Sequence, residues 1–392
     1  MADGPDSERD AVAEWRAALG PDHVYTDELR VAPYRASADG LTRRISCVLR
    51  PATTAEVQRL LEIARRRRRS VHPISRGCNW GLGSRLPVRD GTAIVDLSRM
   101  NRIREINAAG LYAVVEPGVT QGQLYDRIVA DGLPLLFNVT GSGRDTSLIG
   151  NALDRGVGYF ASRADALTGL EVVLGDGRLL RTGFAHIEGA RTAHCYRHGI
   201  GPGLDGLFAQ SGGGIVTAAG FPLMAQPEAH ASFIARIERE EQLVPLLDRL
   251  VSLRREGVLQ SVTHVGNRAR TVITLGPLIE EQMSALRLGS PETRRALAIS
   301  WMTAGGFGPW SAVGGVMGTA AGVRAARRDV ARTLQGTANL VWLTDARVAA
   351  ARRLLGALAF LPPVRRQWVL LKASEPLYRL TRGIPTDAPI RS

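Results

Sequence analysis

Lysine is almost absent: Lys372 is the only one among 50 basic residues, and the rest are arginine. A Walker-type phosphate loop is excluded, because that lysine stands in no glycine-rich context. Cysteine is scarce, with Cys47, Cys78 and Cys195 scattered singly. This excludes a disulfide framework and fits a reducing compartment. Aromatic residues make up 5%. Few are interleaved with the arginines, so stacking platforms for nucleic acid are lacking. No apolar run approaches the length of a bilayer span. The opening Met1-Ala-Asp-Gly-Pro-Asp-Ser-Glu-Arg-Asp10 has neither a basic start nor an apolar stretch. No secretory signal is expected from it, and the expected location is cytoplasmic.

What remains is ordinary globular composition, 45% hydrophobic and 22% charged over 392 residues. That is enough apolar surface for two or three domains. The net charge of +13 comes from 50 basic against 37 acidic residues. Its densest run, 65–69, closes a helix expected over 55–68, where cations suit the helix dipole. A solvated helix end explains it, and no nucleic-acid partner is expected.

Strands are expected at 44–50, 71–74, 92–97, 103–106, 112–116, 170–174, 178–181 and 215–223. Thr53 with Glu56 reads as a capping box opening the 55–68 helix. A second helix is expected over 121–130 and a short one over 204–210. Asp176-Gly177 marks a hairpin turn. Near Gln226-Pro227 the texture changes from glycine-dense loops to longer helices, expected at about 240–255, 318–334 and 346–360. Strand-like runs lie between them at 271–275 and 339–344. A domain boundary is expected at about 226, followed by a sheet covered on one face by helices.

The strongest local feature is Pro73-Ile-Ser-Arg-Gly-Cys-Asn-Trp-Gly-Leu-Gly83, a glycine-rich loop directly after a strand. Such a loop can turn successive N–H groups inward as an anion nest, and diphosphate is its natural guest. A tight turn, Val115-Glu-Pro-Gly-Val-Thr120, follows. The stretch 141–159 is punctuated by glycine and poor in core residues, and 203–217 is similar. Chain that cannot pack on itself often packs on a ligand. Loops of this kind spread along one domain suggest one extended cofactor.

Two weaker signals fall away. Gly201-Pro-Gly-Leu-Asp-Gly206 has dinucleotide-fingerprint spacing but no preceding strand. His194, Cys195 and His198 lie in a glycine-flanked loop without a fourth ligand, so no metal is expected.

Together the segments resemble the flavoprotein family of vanillyl-alcohol oxidase and p-cresol methylhydroxylase. The resemblance is strong over about 45–225 and weaker through Trp310-Ser-Ala-Val-Gly-Gly-Val-Met-Gly-Thr319 and Gly383-Ile-Pro-Thr386. It implies an α+β fold: a PCMH-type FAD-binding domain of two subdomains over 1–226, its core at about 40–225. A partial α+β cap would follow over 227–392. The implied cofactor is FAD. Ser75, Arg76 and Gly77, with Cys78, Asn79, Trp80 and Gly81, would hold the diphosphate through backbone amides, and Pro73 and Ile74 would also contact the cofactor. Pro117, Gly118 and Thr120 would line the adenosine side. Gly150, Asn151, Arg155, Gly156, Gly158 and Tyr159 would run along the flavin, and Gly141, Ser142 and Ser147 would also contact the cofactor. Gly214, Ile215 and Val216 would present backbone to the adenine half or the ring edge.

The implied activity is an FAD-dependent oxidation, with hydride passing from a small phenolic or alcohol substrate to flavin N5. Tyr159 and Asp165 are the candidate catalytic residues. The chain departs from the family in four places. Phe160-Ala-Ser-Arg-Ala-Asp165 replaces a Tyr-Gly-Asp-His run. Cys78 stands where one branch has the His that bonds the flavin. In the cap, His230 and His264 are the only histidines. The chain also stops before the segment that supplies phenol-binding Tyr and Arg in longer members. An apparently truncated C-terminus is therefore expected. The alternative function is a non-catalytic or split-enzyme flavin-binding subunit, assembled with a complementing partner chain or as a homo-oligomer.

Overall fold

The computed structural model describes residues 5–37, 40–78, 85–163, 165–304 and 308–390. Its contacts divide the chain into two units. The first comprises 1–137, 144–157 and 162–225; the second comprises 138–143, 158–161 and 226–392. The main division falls after Ala225, but two short pieces of the glycine-rich stretch belong to the second unit.

The first unit contains α1 (Pro5–Leu19), β1 (Val24–Tyr25), α2 (Glu28–Val31), β2 (Ile45–Leu49), α3 (Thr54–Arg66), β3 (Val71–Ile74) and β4 (Thr92–Asp96). Then come β5 (Ile103–Asn107), β6 (Tyr112–Val115), α4 (Gln121–Ala130), β7 (Leu135–Leu136) and α5 (Leu148–Leu153). It closes with β8 (Thr168–Leu174), β9 (Leu179–Arg181), β10 (Gly214–Pro222) and β11 (Met224–Ala225). One sheet has the order β1-β2-β4-β3, in which β2, β4 and β3 run parallel. β4 is buried at every position, as a strand covered on both faces must be. The other sheet is antiparallel, ordered β5-β6-β10-β8-β9.

Helix α3 ties the two sheets into one core. Thr53 caps it by accepting from Glu56 N, and Val57, Leu60, Leu61 and Ile63 form its apolar stripe. These residues pack with Trp15 of α1, Cys47 of β2, Val95 of β4, Val173 of β8 and Ile215 of β10. Trp15 Nε1 donates to Leu60 O at 3.1 Å, so the indole enters the core with its one donor satisfied. Burial pushes the Cys47 thiol up to about 12, which keeps it an inert hydrophobe.

The second unit contains β12 (Ala229–Arg236), α6 (Leu243–Arg255), β13 (His264–Asn267), α7 (Arg268–Ala285) and α8 (Pro291–Ala304). It continues with β14 (Trp310–Gly318), α9 (Ala320–Leu334), β15 (Asn339–Leu343), α10 (Asp345–Ala357) and α11 (Pro362–Leu380). Its sheet is antiparallel, ordered β13-β14-β12-β15. β12 alternates as a strand should. Ala231, Phe233 and Ala235 enter a core with Leu246 and Leu250 of α6 and Val323 and Val330 of α9. Ser232, Ile234 and Arg236 point to the opposite face.

Two expectations are corrected here. The run 271–275 is not a strand but lies inside α7, which Asn267 opens by accepting from Arg270 N. Its β-branched residues look strand-like, but Leu275, Leu278, Ile279 and Met283 bury against α8 and α11, and that packing overrides propensity. Nor is the sheet covered on one face only. α6 and α9 cover one face, while residues of α7 and α11 stand over the other.

His230 on β12 titrates in a way that couples the second unit to acid. Burial above all, with Arg382 nearby, pushes its pKa from the ordinary 6.5 down to about 4. The folded state therefore favours the neutral ring. Its stability contribution is complete above pH 6.5 and is lost as the pH falls toward 4. The loss should amount to about 3 kcal/mol. Melting temperature measured from pH 7 to 4 should show this limb, and His230→Phe should flatten it; an unchanged slope in the variant would refute the assignment.

Candidate functional site

In the first unit, three of the predicted segments converge. Strand β3 delivers Pro73 and Ile74, and the loop beyond it carries Ser75, Arg76, Gly77 and Cys78. Asn79, Trp80 and Gly81 lie outside the described residues. Gly77 has φ 63, a conformation that favours glycine. The N–H groups of Ser75, Arg76 and Gly77 meet no acceptor among the described residues. Ser75 Oγ fills the space that a Cβ on Gly150 would take, so the loop abuts α5. Ser147 caps α5, accepting from Gly150 N at 2.9 Å and donating to Pro117 O at 2.7 Å. Thr120 caps α4 in a full capping box with Gln123 and bridges to Ser147. The Pro117–Thr120 turn, the start of α5 and the β3 loop are thus joined to one another, the turn and Ser147 themselves being buried.

Glu116 anchors that turn. It is fully buried and accepts from Arg102 N at 3.0 Å, Arg102 Nη2 at 2.9 Å and Arg104 Nε at 3.2 Å. Asn151 is held from two sides. Its carboxamide fills the space where a Cβ on Gly156 would stand, and its Oδ1 accepts from Arg163 Nη1 at 3.1 Å. Arg163 is fully buried and also donates to Gln121 Oε1 at 3.1 Å. Sequence reading missed this arginine. One arginine in a loop, among so many, carries no sign that it is buried. Arg155 is exposed with φ 57. Gly214, Ile215 and Val216 lie in β10, paired with Leu174, Val173 and Val172 of β8.

Gly141, Ser142, Gly158 and Tyr159 fall in the second unit. Tyr159 N donates to Val139 O and Tyr159 O accepts from Val262 N, both at 2.9 Å. Its ring lies 4.7 Å from that of His264, tilted by 45°. Both line a cavity of about 450 Å³ walled by β12, β13 and β14 on one side and by α7 and α11 on the other. Burial pushes the Tyr159 phenol up to about 12. Burial and the Arg270 charge hold the His264 imidazole below its ordinary range. Asp165 is elsewhere: it is exposed in the first unit and pairs with Arg197 at 3.0 Å. His194 stacks on Tyr112 with centroids 5.5 Å apart. Among the described residues, no group of three His, Cys, Asp or Glu could hold a metal ion. No helix among them is long and apolar enough to cross a membrane.

Residues 45–183 match the FAD binding domain family model. Over 390 residues the chain is 35% identical to the 1'-carboxy-chondrochloren decarboxylase of Chondromyces crocatus, covering 97% of this chain and 70% of that protein. The chain belongs to the vanillyl-alcohol oxidase and p-cresol methylhydroxylase family. It is 36% identical to the 4-cresol dehydrogenase [hydroxylating] flavoprotein subunit of Pseudomonas putida over 249 residues, which is 62% of this chain and 48% of that subunit. The structure of p-cresol methylhydroxylase with substrate bound superimposes with a TM-score of 0.79 at 27% identity, covering 99% of this chain and 72% of that one. The 4-ethylphenol oxidase of Gulosibacter chungangensis in complex with isoeugenol gives 0.81, also at 27% identity and with the same coverage of both chains.

Like its family, this oxidoreductase uses FAD. The residues present fit that cofactor. A dinucleotide diphosphate needs inward N–H donors, and the β3 loop offers N–H groups without acceptors among the described residues, beside a glycine at positive φ. Cys78 Sγ rests on Arg76 O at 3.6 Å, and burial raises its pKa. A protonated thiol is a poor nucleophile. Acid precipitation should therefore release the yellow colour into the supernatant. Colour held in the pellet, and lost in Cys78→Ala, would overturn this.

Proposed function

We propose that the chain oxidises a small phenolic or alcohol substrate bound in the cavity of the second unit. The observation that carries this reading is the Tyr159–His264 ring pair at a cavity with mixed apolar and hydroxyl walls. FAD, held by the first unit, would supply a two-electron acceptor for hydride. The protein's residues bind and orient. With its pKa raised, Tyr159 keeps its proton at neutral pH and donates a hydrogen bond to a phenol or alcohol oxygen. With its pKa lowered, His264 stays neutral and can accept a proton from that oxygen. Ile234, Val313, Leu275 and Leu377 provide apolar contact for a ring. The Ser75–Gly77 loop, the Pro117–Thr120 turn and the Ser147–Asn151 segment would hold the dinucleotide. The structures of family members with substrate or isoeugenol bound make a phenol the first probe.

The test is anaerobic bleaching of the flavin band by 4-ethylphenol. Tyr159→Phe should slow it by about 10²-fold, within the range of a positioned proton donor. Asp165→Ala should change it less than about threefold, since an exposed carboxylate in a surface ion pair contributes little. Wild-type bleaching by Tyr159→Phe would remove that tyrosine from the mechanism.

A second reading has its own observation. Leu354 (64% exposed), Phe360 (68%) and Leu361 (40%) stand on the surface where α10 gives way to α11. Such a patch suits a partner chain, as in a flavoprotein subunit of a larger enzyme. Light scattering on the purified chain would show a monomer if the partner is a different polypeptide.

A further inference from the structure

We infer that the cavity of the second unit selects a substrate bearing a carboxylate, with Arg270 as the residue that recognises it. This rests on the reading of the cavity as the substrate site. Five ionisable side chains line it: Tyr159, Arg236, His264, Arg270 and Tyr378. Among the described residues, no aspartate or glutamate does. Tyr378 already donates its hydroxyl to Asp345 at 2.8 Å. His264 and Tyr159 are neutral at pH 7 on the shifts given above. The charge of the cavity is therefore carried by guanidinium groups.

Of the two cavity arginines, Arg236 sits on β12 and is held by interactions of its own, and Arg270 differs from the arginines nearby. Arg382 is neutralised by Asp345, and Arg352 by Glu375. The Arg270 guanidinium has neither an acidic partner nor a side-chain hydrogen bond among the described residues. Yet its stem is placed. A Cβ on Gly266 would lie 3.2 Å from Arg270 Cγ, so the arginine lies over a bare stretch of β13. Asn267 fixes its backbone at the start of α7, accepting from Arg270 N at 2.9 Å. The first turn of that 18-residue helix adds positive potential of its own.

A phenol titrates near 10 in water, so it enters neutral and brings a single oxygen to this charge. A carboxylate enters ionised and offers two oxygens to the guanidinium fork. The apolar walls and the volume suit one substituted ring carrying such a group.

The test uses two ligands of nearly one shape, 4-hydroxyphenylacetate and 4-ethylphenol. Each is titrated calorimetrically into the FAD-loaded full chain. The carboxylate should bind at least about tenfold tighter, an advantage that shrinks as salt is raised. Arg270→Met should weaken the carboxylate by about tenfold or more, leave 4-ethylphenol within about threefold, and preserve the melting temperature. Arg270→Lys should restore part of the loss. Equal affinity for the two ligands, or equal loss of both in Arg270→Met, overturns the inference and leaves the phenol reading standing. If neither ligand binds while FAD is retained, the cavity is not the substrate site and both fall.

Discussion

Gly118→Ala should destabilise the first unit by about 3 kcal/mol or more, at the upper end of overpacking effects. A Cβ at this position would lie 2.7 to 2.8 Å from the carbonyl oxygens of Ser98, Leu97 and Met100. These are backbone atoms, and none can rotate aside as a side chain could. The amide of Gly118 also donates to Met100 O at 2.7 Å, so the turn cannot back away without giving up that bond. Glu116 pins the turn from one side through Arg102 and Arg104. Pro117 O holds Ser147, and with it the start of α5, from the other. Displacing the turn therefore moves α5 and the loop against it. A unit of this size loses roughly 2–4 °C for each kcal/mol, so the melting temperature should fall by about 6–12 °C. FAD should leave the protein before the unit melts, because the surface proposed to hold it is the part displaced. Circular dichroism and flavin fluorescence on one thermal ramp would show both events. A variant that melts with the wild type and keeps its flavin would mean that the Leu97–Met100 turn yields at no cost.

The physical signals that made the first unit legible are local. β4 is an apolar run closed by Asp96, and α3 and α4 announce themselves through Thr53 with Glu56 and Thr120 with Gln123. The Asp176-Gly177 turn fixes the β8–β9 hairpin. Each cue lies within a few residues of the element it specifies. The second unit is different. α8 and α11 both pack on α7 and mix apolar and charged residues around their circumference, so no amphipathic period stands out. Thr271 and Val272 mimic a strand inside α7; the usable cue was Asn267, three residues ahead of Arg270. The sites divide in the same way. Ser75, Pro117, Ser147 and Gly150, which the structure brings together, could be proposed from sequence because they lie in glycine-rich loops next to strands. The cavity was not, because its walls come from residues far apart in sequence, such as Ser232, Arg270 and Tyr378. Only the alternation along β12 hinted that Ser232, Ile234 and Arg236 face something other than the core.

Arg163→Met should cost the first unit about 3–5 kcal/mol and weaken FAD retention at least tenfold. Methionine approximates the volume of the side chain, so the effect is electrostatic rather than a cavity. Two amide oxygens, Asn151 Oδ1 and Gln121 Oε1, lose a charged donor at 3.1 Å in a dry environment. Each loss is worth roughly 1–3 kcal/mol. The ring of Phe221, 5.5 Å from the guanidinium carbon, loses a cation–π contact as well. Arg163→Lys should fall between, since it keeps the charge but not the fork that spans two acceptors. The melting temperature alone would not separate a structural role from a positioning one. The dissociation constant for FAD does, because Asn151 is free to leave its place against Gly156 only when Arg163 is gone. A variant with a lowered apoprotein melting temperature and unchanged FAD affinity would make Arg163 a core residue and nothing more. If both fall together, the buried charge is what keeps Asn151 turned toward the cofactor. The first unit would then bear the expense of an arginine in its core because the flavin site needs that amide held still.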